Sequence, residues 1–381
     1  MTVFATRAST PGRNLDLQHL IGVLHDRRAR ALDVIAGTGA IHAQAGRLVL
    51  DGTEPHLGPD GVTMTDGAYA LGDVAMTGIA DKLGIPLAYL RRMHTDAIDL
   101  FDANVNGWLS RMDRRLLIRV LRDDTGSGTV RAVLSDKYAI MDDEDVLLAA
   151  LAGIRASGAP VQIEGADISD RRLYLKVAAP TVRALAPGLL ADYRSPFNGK
   201  AGADLPVVWA GFVITNSEVG CGAFTIMPRV VVEVCRNGAV ITAHGMRRTH
   251  LGARHEDTEG MVAWSRATNA RMLDLITSRT TDAVASFLDT DYLQRMVREL
   301  EAAAGRPVTD PDTTIKTIAS KLRYSDEVAK NILAHFITGG VLSAGGVLHA
   351  VTSVAQTLTD ADAAHDLEAT AIQAMHLAAA V

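Results

Sequence analysis

The strongest periodic signal in the chain lies at 207–254, where two β-type runs, 207–215 and 223–234, flank a polar turn at Asn216, Ser217, Glu218 and Gly220. Because strand side chains alternate, Val230, Val232 and Val234 share one face, and Arg229, Val231, Glu233 and Cys235 share the other. Arg229 thus has Glu233 as a same-face neighbour. A second turn at Asn237-Gly238 returns the chain into 239–242. A basic, histidine-bearing tail follows, with His244, Arg247, Arg248, His250, Arg254 and His255.

On the N-terminal side, apolar residues at Leu17, Leu20, Ile21, Leu24, Ala31, Leu32 and Ile35 predict a helix over 15–34, ended by Gly37 and Gly39. Residues 41–49 read as a strand, with 62–64 as its short hairpin partner after a turn at 59–61. Tyr69, Leu71, Val74, Ala75, Ile79, Ala80 and Leu83 form a helical stripe, Gly84-Ile85-Pro86 breaks it, and 87–93 begins another helix. That corner resembles a helix-turn-helix, although any αα-corner with a Gly-Pro turn has the same spacing. Residues 116–120 and 130–134 alternate about DDTGSG, a hairpin, and Asp142 is placed to N-cap a helix whose first turn holds Asp143, Glu144 and Asp145. Strands at 161–163 and 173–177 precede a loop over 180–206.

Beyond His255 the period changes to that of helices. They run over 261–277, from an N-cap at Asp291 through Leu300, from 312–314 onward, from Ser325 to a stop at Gly339-Gly340, and through the Ala-rich 362–380. The pattern predicts an α+β protein: a central antiparallel β core with long helices and an all-helical C-terminal part. Its divisions are expected at 1–64 (helix and hairpin), 65–278 (α+β core) and 279–381 (helical).

The 381 residues, 48% of them hydrophobic, can bury a substantial core, and the overall charge of −6 favours neither nucleic acid nor a membrane surface. The distribution changes that picture. Between Arg171 and Arg254 eleven Lys/Arg stand against four acids, a net +7 that leaves −13 for the remainder. Two cysteines, Cys221 and Cys235, suit a reducing cytoplasm, and there is no apolar stretch of membrane-spanning length and no signal-peptide core.

Candidate chemistry concentrates in the same stretch. Cys221, Cys235, His244, His250 and His255 are possible zinc ligands, yet none has the tight C-x₂-C or H-x₃-H spacing. Ser217 or Cys221 beside His244 or His250 could form a nucleophile–base pair, but no nucleophile elbow surrounds either residue. Phosphate-cradling glycine loops are missing as well. Polyanion binding fits the strip better, because arginine offers a permanently charged fork for phosphate oxygens. Arg229, Arg236, Arg247, Arg248, His250 and Arg254 are expected to hold phosphates, with Lys137 and Arg131 as outer contributors. Trp209, Phe212, Phe224, Tyr193 and Phe197 are the candidate base-stacking platforms. Phosphate holding requires these arginines to converge on one solvent-facing channel, not to lie scattered or buried against carboxylates.

The phrases GIADKLGIPLAYLRRM, VRAVLSDKYAIMDDEDVLLAAL, ITNSEVGCGAFTIMPRVVVEVCRNGAVI with its trailing RRTHLGAR, and GGVLHAVTSVAQTLTDADAAHDLEA resemble the phage/plasmid-like proteins of the domain-of-unknown-function family 932. The likeness covers about residues 65–375 in order. It implies a home in phages, plasmids or other mobile elements, and a β-rich core followed by helices. The order of elements is also similar in outline to the Rad52-like annealing fold, from which no motif carries over residue by residue.

The resulting expectation is a cytoplasmic, oligomeric protein of a phage or mobile element that binds and anneals single-stranded DNA in recombination. It assigns no catalytic residue, metal, cofactor or membrane partner. Two other readings stand beside it. One is an enzyme or small-ligand protein with a pocket at Ser217, Glu218, Cys221, His244 and His250. The other is a structural protein that docks partners through its helical part.

Overall fold

A computed structural model describes residues 12–58, 61–123, 127–190, 192–195, 199–204, 206–232, 238–248 and 266–380. Strand β1 (Gly12–Leu15) leads into helix α1 (Leu17–Arg30), which Asp16 caps by accepting from the His19 amide. The helix ends at Arg30, earlier than its apolar spacing predicts, and Ala31–Gly37 is strand β2. The reason lies in the residues that follow, which pair with 115–121 as an edge of the smaller sheet. Leu32, Val34 and Ala36 then bury at period two while Ile35 faces out.

The run at 41–49 is itself a hairpin, β3 (Ile41–Gln44) and β4 (Arg47–Leu50). Ala45 and Gly46 both adopt positive φ in the two-residue turn between them. Residues 62–64 therefore do not pair there. Strand β6 (Gly61–Thr63) pairs instead with β5 (His56–Gly58). Tyr69 and Leu71, read as helical, belong to strand β7 (Gly67–Leu71). Helices α2 (Asp73–Leu83), α3 (Leu87–Asp96) and α4 (Ile98–Leu109) follow, then the expected hairpin β8 (Arg115–Arg122) and β9 (Gly128–Ser135), then α5 (Asp143–Ala156). The smaller sheet has the order β2-β8-β9-β7-β4-β3, parallel only where β7 meets β9. Helices α2–α4 cover it, burying Ile79, Leu90, Met93, Phe101 and Val105 against Val34, Leu48 and Ile118. The α2–α3 corner turns at Gly84, in the left-handed region, as an αα-corner packed on this sheet.

The second sheet collects β1, β10 (Gln162–Ile168), β11 (Leu173–Leu185), β12 (Val207–Asn216), β13 (Phe224–Val232), β14 (Gly238–Val240) and β15 (Met246–Arg248). It is antiparallel throughout, in the order β1-β10-β11-β12-β13-β14, with β15 also on β13. The two central runs pair from Val208↔Val232 to Thr215↔Thr225, as their alternation predicts. Part of the expected loop at 180–206 is strand: β11 resumes pairing past a bulge at Arg183↔Trp209, and a short helix α6 (Pro187–Leu190) follows.

Six helices follow among the described residues: α7 (Arg266–Phe287), α8 (Thr290–Ala304), α9 (Pro311–Leu322), α10 (Asp326–Gly339), α11 (Ala344–Thr357) and α12 (Ala361–Ala380). Ser325 caps α10 and Gly340 ends it in the left-handed region, while α8 is capped by Asp289 instead of Asp291. The protein is α+β, with an antiparallel core and a helical C-terminal part.

Helices α1, α5 and α7 cover one face of the second sheet, with Leu20, Leu24, Val146, Ile276 and Val284 on Leu175, Phe212 and Ile214. One end of the sheet shares a core with α8–α12 through Val208, Ala210 and Val230. On the opposite face α12 runs over Tyr174, Val213 and Val240, and there the strands also carry Asp167, Lys176 and Arg229.

Candidate ligand cavity and a buried arginine–carboxylate cluster

The basic residues singled out by the sequence do not share one channel. Arg131, on β9 of the smaller sheet, and Arg229, on β13 of the larger, are 6% and 3% exposed and each lies against a carboxylate. As phosphate contacts on an open surface both are corrected by this burial. Lys137 is exposed just beyond β9. Arg247 and Arg248 occupy the short strand β15, their backbones paired with Thr225 and Phe224. Arg236, His250 and Arg254 lie outside the described residues.

The second predicted pocket is not assembled among the described residues either. Ser217 Oγ donates to the Arg171 carbonyl at 2.7 Å and accepts from the Cys221 amide at 2.9 Å, so the hydroxyl holds the turn. Cys221 is half-buried, and burial pushes its thiol pKa up, away from the nucleophilic thiolate. Exposed His244 instead lies with Nδ1 3.2 Å from Tyr292 Oη. His250 falls outside the described residues, within which no group of three or more His, Cys, Asp or Glu could hold a metal ion.

Glu218, in the turn after β12, anchors a charge cluster that joins the two sheets. Arg131 lies against Oε1, Arg27 Nη1 stands 3.4 Å from the same oxygen, and the Asp143 amide donates to Oε2 at 3.0 Å. Arg119 donates to the Glu218 carbonyl and binds Asp33 at 2.8 and 3.0 Å and Asp142 at 2.7 Å. Asp142 sits at the N-cap of α5 as predicted but makes no side-chain cap bond. The carboxylate of Glu218 serves that helix end from another element, which leaves Asp142 for Arg119.

Burial alone would raise the Glu218 pKa, but Arg131, Arg27 and Arg119 outweigh it and hold the carboxyl below its ordinary range. Burial raises Asp143, and the adjacent Glu218 charge raises it further. Asn216 Nδ2 donates to Asp143 Oδ1 at 2.8 Å. With Arg27, Arg119, Arg131, Asp143 and Glu218 each under a tenth exposed, this cluster fastens α1, α5 and both sheets to one another and is closed to a substrate.

An accessible polar site lies on the α12 face of the larger sheet. A cavity of about 450 Å³ is bordered there by Arg13, Lys176 and Arg229, by Glu164 and Glu368, and by the half-buried Trp209. The amides of Asn14, Gln162 and Gln356 also line it. Lys176 Nζ stands 3.1 Å from both Asp167 Oδ2 and Glu368 Oε1, Arg13 Nε donates to Asp167 at 3.1 Å, and Arg229 Nη1 donates to Glu164 at 3.0 Å. Burial would raise Asp167, but Lys176, the Asn14 amide and Arg13 together lower it. Pairing on this scale makes burial of three cations tolerable.

At this site Arg229 Nε and Glu368 Oε2 are buried without a hydrogen-bond partner, one a donor and the other an acceptor, while Asp167 Oδ2 has only its ion pair with Lys176. Gly238 makes the Arg229 position possible, since a Cβ there would fall 2.0 Å from Nη2. Beside Trp209, its cross-strand partner Arg183 is exposed on the same face. Under α12, His365 stacks on Tyr174 with ring centroids 4.4 Å apart, and burial followed by the Lys176 charge lowers its pKa to about 3.

Sequence reasoning named Arg229 and Trp209 but missed Arg13, Glu164, Lys176 and Glu368. The available signal was a charge set inside an otherwise apolar element: Lys176 within LYLKVAA, and Glu368 within an Ala-rich helix. Comparison with protein-family models, curated proteins and solved structures finds no match, so the likeness to family 932 rests on the sequence phrases alone.

Proposed function

We propose that the protein binds a small polar ligand bearing a planar ring in the cavity between the larger sheet and α12. The observation that carries this reading is the cavity itself: about 450 Å³, with one half-buried tryptophan and matched cations and carboxylates around it. That volume falls within the ~300–1,000 Å³ of ordinary small-molecule sites. Its polarity selects a ligand with both donors and acceptors, because a purely apolar one would leave the charged wall desolvated and unpaired. Thermal-shift screening of small polar compounds, followed by titration of hits against Trp209→Ala, tests it. Hits that bind the variant as well as the wild-type chain would place the ligand elsewhere.

A second reading, binding of single-stranded nucleic acid, is favoured by exposed Arg183 alongside Trp209 on the same face of the sheet. Here a strand crosses Trp209, and Arg183 contacts its phosphates, with no chemical step. Affinity for an oligonucleotide should fall steeply with salt if phosphates carry the binding. A flat salt response removes this second reading and leaves the first untouched.

A further inference from the structure

We infer that the cavity ligand is a nucleoside monophosphate, free or as the phosphorylated end of a single strand. This rests on the reading of the cavity as a ligand site and names the class that fits it. Size sets the first bound: about 450 Å³ accommodates one nucleotide unit, not a run of them. Half-buried Trp209 lines the site, and its ring is of the kind on which bases stack.

Charge sets the second bound. Arg13, Lys176 and Arg229 are already balanced by Asp167, Glu164 and Glu368 through the ion pairs at 3.0–3.1 Å. A ligand of low negative charge can share the wall's cations, of which Arg13 is the most open with a side chain 13% exposed, whereas a triphosphate would bring several further charges against Glu164 and Glu368. The Gln162 and Gln356 amides provide donor–acceptor pairs for the edge of a base. A ring, one phosphate and a hydrogen-bonding edge together describe a mononucleotide.

The test is titration of the full-length chain, by calorimetry and tryptophan fluorescence, with nucleoside monophosphates, the matching nucleosides and triphosphates, inorganic phosphate, and a short oligonucleotide with and without a 5′-phosphate. Saturable binding of a monophosphate, or of the 5′-phosphorylated strand, roughly tenfold or more tighter than its nucleoside, triphosphate or unphosphorylated counterpart supports the inference. Which of the two binds identifies the source of the nucleotide. Trp209→Ala should weaken that binding roughly tenfold or more, and Trp209→Phe, which keeps a stacking face, should retain most of it. Equal melting temperatures of the two variants exclude unfolding as the cause.

Triphosphates binding as well as monophosphates, or binding indifferent to Trp209→Ala, overturns the inference. If no nucleotide binds while another polar compound does so in a Trp209-dependent way, the ligand class is wrong and the cavity reading survives. If nothing binds, both fall.

Discussion

Replacing Glu218 by Gln removes one negative charge from the cluster that joins the two sheets while keeping the side chain's length and shape. The Arg27 and Arg131 side chains, 4% and 5% exposed, then lose the carboxylate they share. Breaking one partner of a buried ion pair costs about 3–5 kcal/mol, because the surviving charge stays desolvated. Two features limit the damage: Arg119 keeps its bonds to Asp33, Asp142 and the Glu218 carbonyl, and the glutamine oxygen still accepts from the Asp143 amide. For 381 residues an unfolding entropy of roughly 2.1 cal/mol/K per residue gives about 0.8 kcal/mol/K. The expected fall in Tm is therefore about 4–6 °C, read by calorimetry and accompanied by a lower urea midpoint at unchanged m-value. A Tm within about 1 °C of wild type, with the urea midpoint unmoved, would refute the idea that this carboxylate holds the sheets together.

Asp143→Asn should leave Tm at pH 7 unchanged or raise it, because burial and Glu218 already disfavour the Asp143 anion; a loss as large as that of Glu218→Gln would show that the anion is needed. In the wild type, the depressed Glu218 pKa contributes stability above the ordinary value of 4.5 that is lost as pH falls through the folded value, so Glu218→Gln should flatten the acid limb of a Tm–pH profile. Asp143, with its raised pKa, adds stability below 3.8 that is lost as pH rises through its folded value, and Asp143→Asn should remove that slope. Gly238→Ala places a methyl group 2.0 Å from Arg229 Nη2 and should cost about 1–3 kcal/mol by chemical denaturation while disturbing the cavity wall. Ser325→Ala removes the acceptor for the Val328 amide at the start of α10 and should cost about 1 kcal/mol in the same assay.

Where local rules decide, the chain is readable directly. The β12–β13 pairing follows from alternation over 207–234, the β8–β9 hairpin from two alternating runs about a turn, and the ends of α10 from Ser325 and Gly340. Each is settled by side-chain period or by capping within a few residues. The α+β class follows from the change of period near residue 255. Elsewhere packing overrides spacing: Leu32 and Tyr69 fit a helical stripe as well as a strand, and the smaller sheet claims both.

Partner choice among charges was beyond the sequence. Alternation offers Glu233 to Arg229, and Glu233 lies outside the described residues; it gives no sign that Arg229 also pairs with Glu164, 65 residues away, or Arg131 with Glu218 at the end of the other sheet. Once Arg27, Arg119, Arg131 and Arg229 are buried by strands and helices that pack for apolar reasons, the cost of desolvating them forces carboxylates from distant elements to their side. A count of basic residues along 171–254 shows how many cations the stretch holds, but not which of them reach solvent. The cavity under α12 has the same origin. Arg13, Glu164, Lys176, Trp209 and Glu368 come from five different elements or their junctions, and only the docking of the C-terminal helix on the polar face of the sheet brings them together.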